Sequence, residues 1–203
     1  MIDLKRTALL LIGFQNDYFA PDGILHGVIE ESSRVTGVLE NTLSLLRQQG
    51  HAFAMVVNTP ILFTPDYSEL KDPVGILKTI VEVGAFKQGS PGAEVIAAMD
   101  EFKDLITYVP GKRGLNAFAE TGLADILRQQ DIEHVVLAGT VTSLCIDSSA
   151  RSALDEGLKV TILSDCTSSR TPFEQQFYCE QIFPLYASVT TSADLTAAPA
   201  SSG

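Results

Sequence analysis

Residues 136–157 read VLAGTVTSLCIDSSARSALDEG, an apolar run followed by a small polar turn and a helical pattern with Cys145 in its first turn. A thiol there has a chemical use, because free backbone N–H groups and the positive end of the helix dipole favour the nucleophilic thiolate. If Thr142 caps the helix, Cys145 takes the third helical position. Cysteine is otherwise a small buried hydrophobe, and Cys166 and Cys179, which lack this setting, read as core residues. A second stretch, YVPGKRGLNAF at 108–118, ends a strand and sends Lys112 out of a Pro-Gly turn. At the same sheet edge as Cys145, its ammonium would stabilise a thiolate; alone, a turn lysine is a solvated charge.

The elements that must position these residues are legible as apolar runs. TALLLIG at 7–13, AFAMVVN at 52–58, LITYV at 105–109, HVVLAG at 134–139, KVTILS at 159–164 and ASVTT at 187–191 alternate with helical patterns. Most are apolar on both faces, as strands of a parallel sheet covered by helices on each side are. The expected fold is α/β: a single-domain, three-layer α/β/α sandwich on a mostly parallel sheet of about six strands, spanning residues 1–195. Helix stops fall at Gly50 and Gly157, and Thr171, Pro172 and Glu174 predict the N-cap, first-turn proline and capping-box partner of a last helix. Residues 58–92 break the rhythm with prolines, glycines and a weak helical pattern at VGILKTIVEV, and read as a lid over the carboxyl ends of the strands. The tail at 196–203 is small and polar, and is expected to be flexible.

Composition excludes several functions. Of 203 residues, 14 are Lys or Arg and 25 are Asp or Glu, a formal net charge of −11 that would repel nucleic acid and anionic membranes. No apolar run approaches the roughly 20 residues of a spanning helix, and the N-terminal run lacks a cleavage site for a secretory leader. Three cysteines without metal-site spacing argue against a disulfide framework and for a reducing, cytoplasmic setting. His26, His51 and His134 are scattered, with surface or structural roles expected for each.

Three blocks, ALLLIGFQNDYF, KRGLNAF and AGTVTSLCIDSSARSA, followed by SDCTSSRTP and VTTSADL, together resemble the isochorismatase-like cysteine hydrolases. The resemblance implies a triad of aspartate, lysine and cysteine, in which the cysteine attacks a carbonyl, the aspartate moves the proton and the lysine holds the two in place. Carried onto this sequence, the nucleophile is Cys145 and the lysine Lys112. The resemblance further implies a non-proline cis peptide at Thr140–Val141, an oxyanion hole from the Val141 and Cys145 N–H groups, and a tendency to form homo-oligomers. Phe14, Tyr18 and Phe19 are candidate pocket residues for a small-molecule substrate.

The aspartate position holds Gly13, although the QND that follows is intact. Asp17 fits a structural role at the strand end. Without the aspartate, attack by Cys145 should survive while protonation of a leaving amine suffers, since general acid–base help is typically worth about 10²- to 10⁴-fold. A carboxylate restored at position 13 is expected to reach the thiol and raise turnover if the chain is a hydrolase that lost its proton carrier, and to clash or bury an unpaired charge, lowering activity and stability, if the pocket has been remodelled. Keeping the cysteine without the aspartate argues against isochorismate as substrate. The matching region NTPILFTPDYSEL has no histidine for the metal site of the family's nicotinamidases, so no metal or other cofactor is expected. The leading expectation is an amidase acting on a small C–N substrate through an acyl-cysteine intermediate. The alternative is a catalytically inactive member that binds a metabolite or serves in assembly.

Overall fold

A computed structural model describes residues 2–195; the tail expected to be flexible, 196–203, lies outside them. Among the described residues six strands form one sheet in the order β3-β2-β1-β4-β5-β6, every pair parallel. The strands are β1 (Thr7–Ile12), β2 (Met55–Thr59), β3 (Ile106–Tyr108), β4 (His134–Thr140), β5 (Lys159–Ser168) and β6 (Ser188–Thr190). The helices are α1 (Asn16–Phe19), α2 (His26–Thr36), α3 (Val38–Gln49), α4 (Gly75–Val83), α5 (Leu123–Gln129), α6 (Asp147–Asp155) and α7 (Pro172–Phe177).

Two-sided burial explains the apolar runs. In β1, Leu9 and Leu11 enter one core with Leu45 and Leu46 of α3, while Ala8, Leu10 and Ile12 enter another with Leu127 of α5 and Ala150 and Ala153 of α6. Alternate residues thus serve opposite faces, and neither face can be polar. The result is the expected three-layer α/β/α sandwich. Strand limits differ from the sequence reading where local bonding intervenes. β2 starts at Met55 because Gly50–Ala52 form a 3₁₀ turn and the Ala54 N–H donates to the Leu4 and Thr7 carbonyls (2.8 and 3.1 Å). Gly50 follows α3 as expected but keeps right-handed backbone, whereas Gly157 beyond α6 takes φ +81°. Thr171 caps α7, its Oγ1 accepting from the Glu174 N–H at 3.1 Å. Glu174 does not complete a capping box. Its carboxylate accepts the Arg170 N–H at 3.2 Å instead, because the Arg170 guanidinium holds it there.

The excursion at 58–92 contains α4 and builds a third apolar cluster, in which Ile61, Phe63, Tyr67, Ile80 and Phe86 meet Tyr18 and Val141. Gln15, fully buried just past β1, fastens this layer to the sheet: its Nε2 donates to the Ile61 and Ala93 carbonyls (2.8 and 2.7 Å) and its Oε1 accepts the Ile61 N–H (2.7 Å). Asp17 fastens it a second time, accepting the Phe86 N–H at 2.6 Å. The intact QND is thereby accounted for structurally. A Gln15→Leu substitution leaves three backbone groups unpaired and should cost roughly 2–4 kcal/mol, read as a lower urea midpoint; an unchanged midpoint would mean that Gln15 does not hold the excursion down.

Candidate active site

Strand order reverses between β1 and β4, and in open parallel sheets the crevice beyond the carboxyl ends at such a reversal is where ligands bind. Gly13 ends β1 there, and the chain leaving β4 passes through Thr140–Val141, a non-proline cis peptide, into the turn that carries Cys145. The turn is wider than the sequence reading implied. Residues Thr142–Ile146 form a π turn before α6, so Cys145 is its fourth residue and not the third of an ordinary α-helix. Thr142 is no N-cap: Val141 holds that position, and the Thr142 hydroxyl donates to Gln175 Oε1 at 2.6 Å. Isolated π turns are frequent at functional sites.

Lys112 is brought to the thiol. Its Nζ donates to Cys145 Sγ at 3.3 Å and to the Gly114 carbonyl, with the lysine fully buried and the cysteine 3% exposed. Lys112 therefore does not take the solvated place that a turn lysine has by default. A short parallel bridge between Ile61 and Lys112 holds its backbone to the excursion, and the rest of the loop is tied to α6, the helix that follows the Cys145 turn. Ser149 Oγ accepts the Ala117 N–H at 3.0 Å, and Asn116 Nδ2 donates to Ser152 Oγ at 2.7 Å. No carboxylate lies within salt-bridge distance of Lys112 among the described residues.

Helix α7 braces the turn from the other side. Gln175 accepts from Thr142 and donates to Ser164 O and Thr167 Oγ1 (3.1 and 3.0 Å). Partial burial opposes the charge on Glu174, but hydrogen bonds from Arg170, Ser143 and Ser169 outweigh it and hold this carboxyl at about 2. Neither residue is visible as a site element in the sequence. The serines of α6 left a faint signal, since Ser149 and Ser152, one turn apart in mid-helix, are poor helix formers facing the lysine loop.

For the oxyanion hole, the Leu144 and Ile146 N–H groups both donate to the Val141 carbonyl (3.1 and 3.2 Å). The Val141 and Cys145 N–H groups make none of the turn, loop or cap hydrogen bonds among the described residues. Of the three pocket candidates, Tyr18 is the one whose phenol feels Cys145. It packs with Val141, and burial pushes its phenol well above 10, with the charges of Cys145 and Asp17 adding to the effect. Phe14 is fully buried in the core on the α3 face, stacked on Phe19 at 5.2 Å. It packs the fold and does not line the thiol. The other two cysteines are unsuited to attack: burial pushes Cys166 up to about 12 and Cys179 up to about 11, with neighbouring acids adding to both. All three cysteines are free. His26 Nδ1 meets the Tyr18 carbonyl at 2.9 Å, His134 Nε2 meets Thr161 Oγ1 at 2.8 Å, and His51 sits in the turn after α3. A cleft of about 430 Å³ lies at the opposite, amino-terminal edge of the sheet between Thr7, His134 and Thr161.

Gly13 has φ +79°, and a Cβ placed on it would stand 2.7 Å from the Thr140 carbonyl oxygen and 3.1 Å from the Thr140 methyl. The direction in which a side chain would leave is already filled by the end of β4. A side chain restored at position 13 would thus meet Thr140 first, which is the clash expected of the remodelled-pocket alternative.

Residues 7–194 match the family described as Isochorismatase domain. Maleamate amidohydrolase of Pseudomonas putida is 30% identical over 198 residues, covering 94% of this chain and 85% of that protein. Ureidoacrylate amidohydrolase of Caulobacter vibrioides is 26% identical, covering 95% and 91%. Among solved structures, a cysteine hydrolase from Pseudomonas syringae superposes with a TM-score of 0.80 at 21% identity, covering 95% of this chain and 91% of that one. The nicotinamidase of Bacillus subtilis superposes with a TM-score of 0.73 at 21% identity, covering 92% and 99%. The chain belongs to the isochorismatase family and is a hydrolase of that family.

A Gly13→Asp substitution should lower the thermal midpoint and bring no gain in hydrolysis, because a side chain in left-handed backbone costs roughly 1–2 kcal/mol before its contact with Thr140 is counted. An equally stable variant with faster hydrolysis would show that β1 and β4 separate readily enough to admit the carboxylate.

Proposed function

We propose that this protein is an amidase acting on a small substrate with a non-peptide C–N bond, using Cys145 as nucleophile. The observation that carries this reading is the buried contact of Lys112 Nζ with Cys145 Sγ at 3.3 Å, at the sheet reversal where ligands bind. A thiolate is the attacking species, and an adjacent ammonium in a dry site favours it over the thiol. The Val141 and Cys145 N–H groups are the donors we assign to the developing oxyanion, an arrangement in which one lost donor typically costs about 3–4 kcal/mol of barrier. Support for C–N chemistry comes from relatives that are maleamate and ureidoacrylate amidohydrolases. No metal or other cofactor is assigned a role.

Cys145 is nearly enclosed, so a substrate enters only if its cover moves. We assign that movement to residues 58–92, whose Ile61, Phe63 and Phe86 form the apolar layer over Val141, with the domain itself extending over residues 1–195. Tyr18 is the aromatic residue we place against the bound substrate, with Phe19 at the margin. A cytoplasmic location, which keeps Cys145 reduced, and a homo-oligomeric state complete the proposal.

Gly13 favours a second reading, a member that binds a metabolite without turning it over. Incubating the protein with a panel of small amides, including maleamate and ureidoacrylate, and following both ammonia release and intact mass separates the two. The amidase reading expects turnover, or an acyl adduct that peptide mapping assigns to Cys145. Binding without turnover or adduct on any amide would establish the second reading.

A further inference from the structure

Hydrolysis through an acyl-cysteine needs a group that gives a proton to the leaving amine and later takes one from water. At position 13 there is no side chain to do so. The neighbouring carboxylate, Asp17, is committed elsewhere: it accepts the Phe86 N–H at 2.6 Å and closes against Gly92, where a Cβ would stand 2.0 Å from its oxygen. Tyr18 makes no side-chain hydrogen bond among the described residues, and a phenol so deeply desolvated gives up its proton reluctantly. The one side-chain hydrogen bond to Cys145 Sγ among the described residues comes from Lys112. With Lys112 fully buried and no carboxylate paired to it, its proton has one polar side chain to visit, the sulfur.

We propose that Lys112, hydrogen-bonded to Cys145 Sγ and shut away from solvent, is itself the proton carrier of the reaction in this chain. The inference rests on the amidase reading. The cycle starts from thiolate and ammonium. Sulfur's electron pair forms the S–C bond and the carbonyl π pair moves to oxygen. As the C=O bond reforms, the C–N bond breaks, and the departing nitrogen takes a proton from Lys112 Nζ, which is left as a neutral amine. Water then attacks the thioester; Nζ accepts one of its protons, the C–O bond forms, and the C–S bond breaks to return thiolate beside ammonium. The sum is amide plus water giving acid plus amine, with no other reactant. The Gly114 carbonyl, the second acceptor of Nζ, keeps the amine aimed at the sulfur when the ammonium charge is spent.

The experiment compares the natural protein with Lys112→Arg and Lys112→Ala on an amide that the natural protein hydrolyses. Arginine keeps the positive charge but cannot cycle a proton. Iodoacetamide should alkylate Cys145 in Lys112→Arg within a few-fold of the natural rate, whereas amide turnover should fall by about 10²-fold or more. In Lys112→Ala, methylamine should restore turnover, with more basic small amines rescuing to a different degree, and guanidinium should not restore it. Turnover in Lys112→Arg within threefold of natural, or equal rescue by guanidinium, would overturn the proposal and leave Lys112 as a positioning charge. Should neither variant fold, single-turnover acylation of the natural protein by a series of anilides decides: a carried proton makes the rate nearly independent of leaving-group basicity, and a steep fall with basicity refutes the carrier. Failure of the natural protein to hydrolyse any amide refutes the amidase reading itself, a result distinct from these.

Discussion

An ammonium buried beyond salt-bridge reach of any carboxylate among the described residues is the constraint around which this site is arranged. Removing such an ion from water costs several kcal/mol even after the protein relaxes, and Lys112 meets only a backbone carbonyl and a sulfur among the described residues. Cys145 Sγ is the one side-chain acceptor that Lys112 Nζ has among the described residues. The loop and the helix that carry the two partners are accordingly sewn together by the Ala117–Ser149 and Asn116–Ser152 bonds, while the Ile61–Lys112 bridge holds the lysine's backbone from the far side. A small slippage of either element would leave a charge unpaired in a dry interior, where a lost partner is far costlier than at a surface.

The same economy of space governs the strand ends. β1 and β4 close so tightly beyond Ile12 that Gly139, with φ +127°, could not carry a Cβ without meeting the Ile12 carbonyl at 1.8 Å, and Gly13 faces Thr140 in the same way. The resemblance in sequence implies a carboxylate at position 13. Here a Cβ on residue 13 would stand 2.7 Å from the Thr140 carbonyl oxygen, and the polar side chain that meets the thiol is Lys112. The turn bearing the thiol is in turn fixed from outside by α7, through Gln175 to Thr142.

The sheet was legible because two-sided burial leaves a pattern: TALLLI and HVVLAG read as covered strands, and their alternation with helices implies the parallel order. Cys145 and Lys112 were legible as candidates because each follows a strand, which puts both at one edge. Their contact was not, since a turn lysine is a surface charge by default and only the tertiary fold buries this one. The π turn escaped too, because its width comes from bonds such as Thr142 to Gln175, thirty-three residues apart, and no local spacing announces them. Gly13 was recognised as a missing carboxylate, but not the nearness of Thr140, whose carbonyl oxygen would stand 2.7 Å from a Cβ there. The close approach of two backbones leaves no mark on either strand's side-chain pattern.

A crystal structure of the protein treated with a small aldehyde tests the central claim most directly, because an aldehyde captures a reactive thiolate as a hemithioacetal that imitates the tetrahedral intermediate. The predicted result is a single adduct on Cys145 Sγ, its oxygen between the Val141 and Cys145 N–H groups and Lys112 Nζ still within hydrogen-bond reach of the sulfur. An adduct on Cys166 or Cys179, or a Lys112 side chain turned out to solvent beside an unmodified Cys145, would contradict it.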